Sequence, residues 1–315
     1  MSIPRPNGMG AIKIGEKSVM RGAPAFGRYL GIDYSGAQTA ETSLPGLRMY
    51  LADRTSPPCE VPPPVSPRKY WTRRGLAHGL AELLAEDTPT LIGIDHAFSF
   101  PLRYFEQHHL PLNWTAFLDD FQHHWPTDEQ YLYVESVRDG SYGHGAARWG
   151  KSTWRRLTEV RAGRAKSVFH FDVHGSVAKS THSGLPWLRY LRSHLGPRLH
   201  FWPFDGWQIP AGRRAVAEVY PALWSKKFPR EDRDQHQHDA YSIATWLRAA
   251  DMRCLTVGDG ASSFLATKQP CPYRLRTNVS GVPSSGFTKI MSLGSRLGVS
   301  IARKTTGPSI ILGKA

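Results

Sequence analysis

An α/β domain, with a mixed β-sheet flanked by helices and a helical insertion, is what this sequence predicts, and two observations carry the prediction. Two short apolar runs, Tyr29-Leu30-Gly31-Ile32-Asp33 and Leu91-Ile92-Gly93-Ile94-Asp95, each end in aspartate. Between and after them, apolar residues recur at helical spacing. A length of 315 residues suffices for one large domain or two ordinary ones. A composition of 40% hydrophobic and 21% charged residues is that of a globular chain. No apolar run approaches the ~20 residues that cross a bilayer, so a membrane partner is not expected.

The elements follow in order. Residues 1–28 are rich in Gly and Pro without periodicity and are expected to be a flexible extension. The domain itself is expected to span residues 29–259. Tyr29 to Asp33 reads as a buried strand closed by the turn-prone Ser35-Gly36. Leu47 to Ala52 alternates like a half-buried strand and suggests a hairpin or meander, so the sheet opens antiparallel. Pro57 to Pro67 holds six prolines in eleven residues and is an extended connection. Trp71, Leu76, Leu80, Leu83 and Leu84 mark an amphipathic helix between Lys69 and Glu86, and Leu91 to Asp95 repeats the strand pattern. Residues 102–166 mix short helical patterns with Gly-rich turns and read as an insertion or cap. Ser176 to Leu195 reads as a helix, Leu199 to Phe204 and Ala215 to Tyr220 as strands, and Gln235 to Ala250 as the last helix.

The formal charge of +14 invites a nucleic-acid partner. Its distribution weakens the inference. Residues 29–259 hold 27 Lys and Arg against 25 Asp and Glu, whereas residues 260–315, a Ser/Gly-rich tail expected to be poorly ordered, hold eight basic residues and no acid. Cys59, Cys254 and Cys271 are odd in number and widely spaced, which fits neither a disulfide framework nor a zinc knuckle. The first twenty residues lack the apolar stretch of a secretory signal, so the chain is expected in the cytoplasm.

Asp33 and Asp95 close apolar strands, and strand ends of α/β sheets are where ligands bind. Taken singly, each can equally begin a turn. Glu218 lies within Ala215-Val216-Ala217-Glu218-Val219-Tyr220, where apolar neighbours imply burial and an unpaired carboxylate would be costly. An arginine salt bridge is the alternative to a metal there. Asp239 falls in the first turns of the last helix, on the side of Ile243; a favourable interaction with the helix N-terminus is its alternative. Three carboxylates on strands and one on a closing helix can together bind two Mg²⁺ or Mn²⁺ ions, because hard cations prefer oxygen ligands.

The motifs GIDYSGA at 31–37, GIDHAFSFP at 93–101, AEVYPA at 217–222 and HDAYSIATWL at 238–247 resemble those of domain-of-unknown-function family 429, predicted nucleases of the ribonuclease-H-like superfamily. The likeness spans about residues 29–259. It implies a ribonuclease-H-like fold and metal-dependent phosphodiester hydrolysis, with Asp33 as the central ligand and Asp95, Glu218 and Asp239 completing the site. In such a site two ions ~3.5–4 Å apart activate a water and stabilise the leaving oxygen. On that reading Asp33 bridges the ions, Asp95 and Glu218 hold one each, and Asp239 ligates or supports them. The acid-free stretch after Asp259 departs from the pattern, where an ordered helical close is expected.

From Arg148 to Lys166 seven basic residues stand against the single acid Glu159, with Trp149 and Trp154 interleaved. The mixture suits phosphates and stacked bases, which makes Arg155, Arg156, Arg161, Arg164 and Lys166 candidate substrate contacts. A solvated helical face is the alternative. His170 and His174 are four apart, but no HExxH accompanies them and the local pattern is extended, which argues against zinc. His236 and His238 flank Asp239 and can orient water or move protons; surface positions at a helix start are their alternative. A metal-dependent nuclease is therefore the leading expectation. A non-catalytic nucleic-acid-binding module on the same fold is the second, and an actin-like kinase is disfavoured because the phosphate-binding glycine loops it needs are missing.

Overall fold

The two strands that end in Gly-Ile-Asp lie at the centre of the sheet, flanked on either side by other strands. The computed structural model describes residues 24–253. Its strands are β1 (Arg28–Asp33), β2 (Arg48–Asp53), β3 (Cys59–Glu60), β4 (Thr90–Asp95), β5 (Leu199–Trp202) and β6 (Arg214–Glu218). They form one mixed sheet in the order β3-β2-β1-β4-β6-β5. β2 runs antiparallel to both β1 and β3, while β1, β4, β6 and β5 run parallel. The parallel strands bring the carboxyl ends of β1, β4 and β6 side by side, and Asp33 is the register partner of Asp95.

Alternation along these strands sorts the Gly-Ile-Asp triplets between two faces. Ile32 and Ile94 join a core with α1 (Arg73–Leu83) and α6 (Ala178–Leu195) through Leu76, Leu80, Leu185 and Leu188. Gly31 and Gly93 face α7 (Gln235–Arg253), which lies across β1 and β2. Glycine is required there: a Cβ on Gly31 would sit 2.1 Å from the Ala240 carbonyl oxygen, and one on Gly93 would sit 2.6 Å from the Ile243 side chain. The close approach buries Ala240, Ile243, Ala244 and Leu247 completely. Full burial of a side chain the size of Ile or Leu contributes about 1.5–3 kcal/mol.

Helix limits follow local chemistry. α1 is shorter than its apolar pattern because the Thr72 side chain caps it, accepting from Gly75 N at 2.9 Å. β5 stops at Trp202, ahead of Pro203, where the Asp205 carboxylate accepts from Phe201 N at 2.8 Å and turns the chain. The proline-rich connection contains β3 at the sheet edge.

Residues 102–166 fold as α2 (Leu102–Gln107), α3 (Trp114–His124), α4 (Val134–Arg138) and α5 (Leu157–Arg161), with turns between them. They are not a detached cap. Tyr104, Phe117, Phe121 and Val137 are buried in the same core as Ile94, around Phe100 with ring centroids 4.8–5.7 Å apart for Tyr104, Phe117 and Phe121. The end of the expected N-terminal extension also needs correction. Phe26 is buried, and the Asp251 carboxylate of α7 accepts from Ala25 N, Phe26 N and Tyr29 Oη, so order begins before Tyr29. The rest of that extension and the tail at 260–315 lie outside the described residues. Among the described residues no helix is long and apolar enough to cross a membrane.

Candidate functional site

Asp33 and Asp95 end adjacent parallel strands in register, so both carboxylates leave the sheet on the α7 face. α7 carries Asp239 one turn in from its start and brings it against them. The consequence is electrostatic crowding. Asp33 is buried, and burial pushes its carboxyl up to about 6; the hydrogen bond and charge of His236 pull the other way, and Asp239 adds to the rise. Asp95 is held well above the usual carboxylate range by burial first, then by Asp33, Asp239 and Glu218. Asp239 accepts from Gln235 Nε2 at 2.8 Å.

His236 is the residue that sequence reasoning set aside. Its Nδ1 donates to Asp33 Oδ2 at 2.6 Å, and this bond raises the imidazole pKa. The ring is half exposed at the rim, so the pair joins the acid cluster to solvent. Its position three residues before Asp239 was the available signal. His238, by contrast, is buried, with Nε2 against the Ser225 carbonyl oxygen at 3.1 Å.

Glu218 behaves differently from the other three carboxylates. Its register partner is Ile94, so it leaves the sheet on the face opposite Asp95. There it accepts from Phe98 N at 3.0 Å and from both terminal amino groups of Arg156 at 2.7 and 2.8 Å. The arginine salt bridge is therefore present. Arg156 is held in turn by Glu159, whose carboxylate accepts from Arg156 Nε and Arg156 N, each at 2.8 Å. Asp95, Glu218, Arg156 and Lys166 line one solvent-open cleft that runs past the ends of β4 and β6.

The remaining expected substrate contacts divide. Arg155 is spent on the carbonyl oxygens of Glu159, Gly163 and Ala165, a role in holding the loop together. Arg164 is exposed, Arg161 is half-buried, and Lys166 donates to the His174 carbonyl oxygen. Trp154 is buried in the core and Trp149 is exposed at 43%. His170 and His174 fall in a turn segment.

Whether this donor set fits a divalent cation turns on two observations. Among the described residues no group of three or more His, Cys, Asp or Glu side chains is already arranged to hold an ion. Yet Asp33, Asp95 and Asp239 concentrate negative charge, with the partly exposed His236 set against Asp33. Three carboxylates gathered at one crevice supply the oxygen ligands a hard cation prefers. The fit extends to these three and not to Glu218 while Arg156 holds both of its oxygens.

Comparison with family models, with curated proteins and with solved structures finds no match to the chain. The four motifs that resemble family 429 are thus not accompanied by a match to a family model.

Proposed function

We propose that the chain is a metal-dependent phosphodiester hydrolase, a nuclease of ribonuclease-H-like type, with Mg²⁺ or Mn²⁺ held by Asp33, Asp95 and Asp239 and a nucleic acid as substrate. The observation that carries the reading is the crowding of three carboxylates, two in register on central parallel strands and one on the helix laid across them. The strand order, with an antiparallel β1-β2-β3 meander followed by parallel strands, is compatible with that fold. A divalent ion bound there supplies Lewis-acid polarisation of the phosphoryl group and generation of the nucleophile from water.

The chain's own groups have separable roles. Asp33 and Asp95 hold the cation from rigid strand ends, and Asp239 closes the set from α7. His236 fixes the orientation of the Asp33 carboxylate through its 2.6 Å hydrogen bond. Lys166, lining the cleft, supplies positive charge for phosphates.

The test is cleavage of a panel of single- and double-stranded DNA and RNA with Mg²⁺, Mn²⁺ or EDTA, comparing wild type with Asp33→Asn. Cleavage that needs the metal and disappears in the folded variant is expected; equal cleavage by the variant would refute the assignment. Binding without catalysis is the second reading, favoured by the occupation of Glu218. It predicts retention of nucleic acid with no cleavage by wild type.

A further inference from the structure

The cleft beside the acid cluster has two unlike walls. One is built on the end of β6, where Val219 N still donates to the Ile94 carbonyl oxygen at 3.0 Å and Pro221 then turns the chain. That turn presents the partly buried Tyr220 and the exposed Leu223 to the cleft. The facing wall is α5 and the loop after it, which contribute Thr158, Ala162 and Lys166. Arg156 rivets the walls together. It sits at the start of α5, where Glu159 accepts from its Nε at 2.8 Å, and its terminal amino groups reach Glu218 on β6 at 2.7 and 2.8 Å. A slot spanned by one ion pair has the scale of single side chains. It fits one flat group between its walls and not a stacked duplex.

Ring and charges belong to one region. Burial and then the Asp95 charge push the Tyr220 phenol up, while the Arg164 charge pulls it down, so the side chain is within electrostatic reach of both the acid cluster and an exposed guanidinium. Lys166, in the same cleft, donates to the His174 carbonyl oxygen and keeps further ammonium protons for an anion. An aromatic face with cations beside it matches the parts of a nucleotide: the base stacks on the ring and the phosphates meet the cations. We propose that the cleft is a seat for one unstacked base of a single-stranded nucleic acid, with the base on Tyr220, its flanking phosphate on Lys166 and Arg164, and the next phosphodiester at Asp95. The inference rests on the reading of a nucleic acid as substrate, and it makes Tyr220 the residue that selects single strands. A paired base must first leave its stack to enter, at a cost that a single-stranded base escapes.

The experiment measures equilibrium binding of the full chain, in EDTA, to a single-stranded oligonucleotide that carries a fluorescent purine analogue, and to the same strand in a duplex. Wild type is expected to bind the single strand at least about tenfold more tightly and to quench the analogue as its base stacks. Tyr220→Phe, which keeps the ring, should retain both the affinity and the quench. Tyr220→Leu, folded by circular dichroism, should lose the quench and bind about tenfold more weakly. Equal affinity for the two forms, no binding of either, or an unchanged quench in Tyr220→Leu overturns the seat, and the wild-type arms decide the question even if that variant fails to fold. The expected binding by a wild type that neither takes up Mn²⁺ nor cleaves would uphold the seat and overturn the metal-dependent reading instead.

Discussion

Replacing Gly31 by alanine tests why the helix that carries Asp239 can reach the strand that carries Asp33. The new Cβ would lie 2.1 Å from the Ala240 carbonyl oxygen, 2.6 Å from Ala244 N and 2.8 Å from Ile243 Cβ. Carbon atoms in favourable contact sit ~3.5–4.0 Å apart, so α7 must retreat by about 1 Å or more. The obstructing atoms are mostly backbone, which no side-chain rotation relieves. Ala240, Ile243, Ala244 and Leu247 all lose contact when the helix moves, which places the cost at the upper end of overpacking, about 3 kcal/mol. For a domain of this size that lowers the melting temperature by about 6–12 °C. The assay is thermal unfolding followed by circular dichroism, with Gly163→Ala as control. Gly163 has φ 71° and nothing within 4 Å of an added Cβ, so only the left-handed backbone penalty of about 1 kcal/mol applies. A Gly31→Ala protein that melts within 2 °C of the control would refute the close-approach argument.

In EDTA, stability should fall as pH rises from about 4 to about 6: Asp33, raised from 3.8 to about 6, binds its proton more tightly folded than unfolded, so its contribution is complete below the unfolded value and lost through the folded one. The shift corresponds to at most about 3 kcal/mol, and Asp95 acts in the same sense. Urea titrations should therefore show a shallower fall in Asp33→Asn than in wild type, and identical slopes would contradict the assignment. Arg73, fully buried, donates to the carbonyl oxygens of Ser35, Ala37 and Gln38 at 3.3, 2.6 and 2.8 Å and so ties down the loop that follows Asp33. Arg73→Met should cost about 3 kcal/mol in urea unfolding, because hydrogen bonds to a charged group are lost and buried acceptors are stranded; a loss below ~1 kcal/mol would show the loop is held otherwise.

What the sequence made legible was whatever depends on neighbours along the chain. The Gly-Ile-Asp strands could be read from their apolar runs, and α7 from its spacing, because both patterns are local. Glu218 shows the boundary. Its burial follows from its apolar flanks, but the face it occupies depends on pairing with Ile94, more than a hundred residues away, and that pairing sends it off the sheet on the face opposite Asp95. The identity of its arginine partner is equally non-local: Arg156 looked like a substrate contact in a basic run, and only folding shows that two acids claim it. His236 reached Asp33 through the rotation of α7, which short-range periodicity does not specify. The insertion was visible as short helices, yet its merger with the main core depended on the aromatic cluster around Phe100, whose members are dispersed along the chain.

The central claim is that Asp33, Asp95 and Asp239 share a divalent cation, and calorimetric titration of Mn²⁺ into wild type and into Asp95→Asn at pH 7 tests it most directly. Wild type should bind Mn²⁺ and raise its own melting temperature in doing so, while Asp95→Asn, still folded, should bind at least about tenfold more weakly, the ~1.4 kcal/mol that a lost charged ligand easily exceeds. Equal affinity in the two proteins, or no binding by wild type, would contradict it.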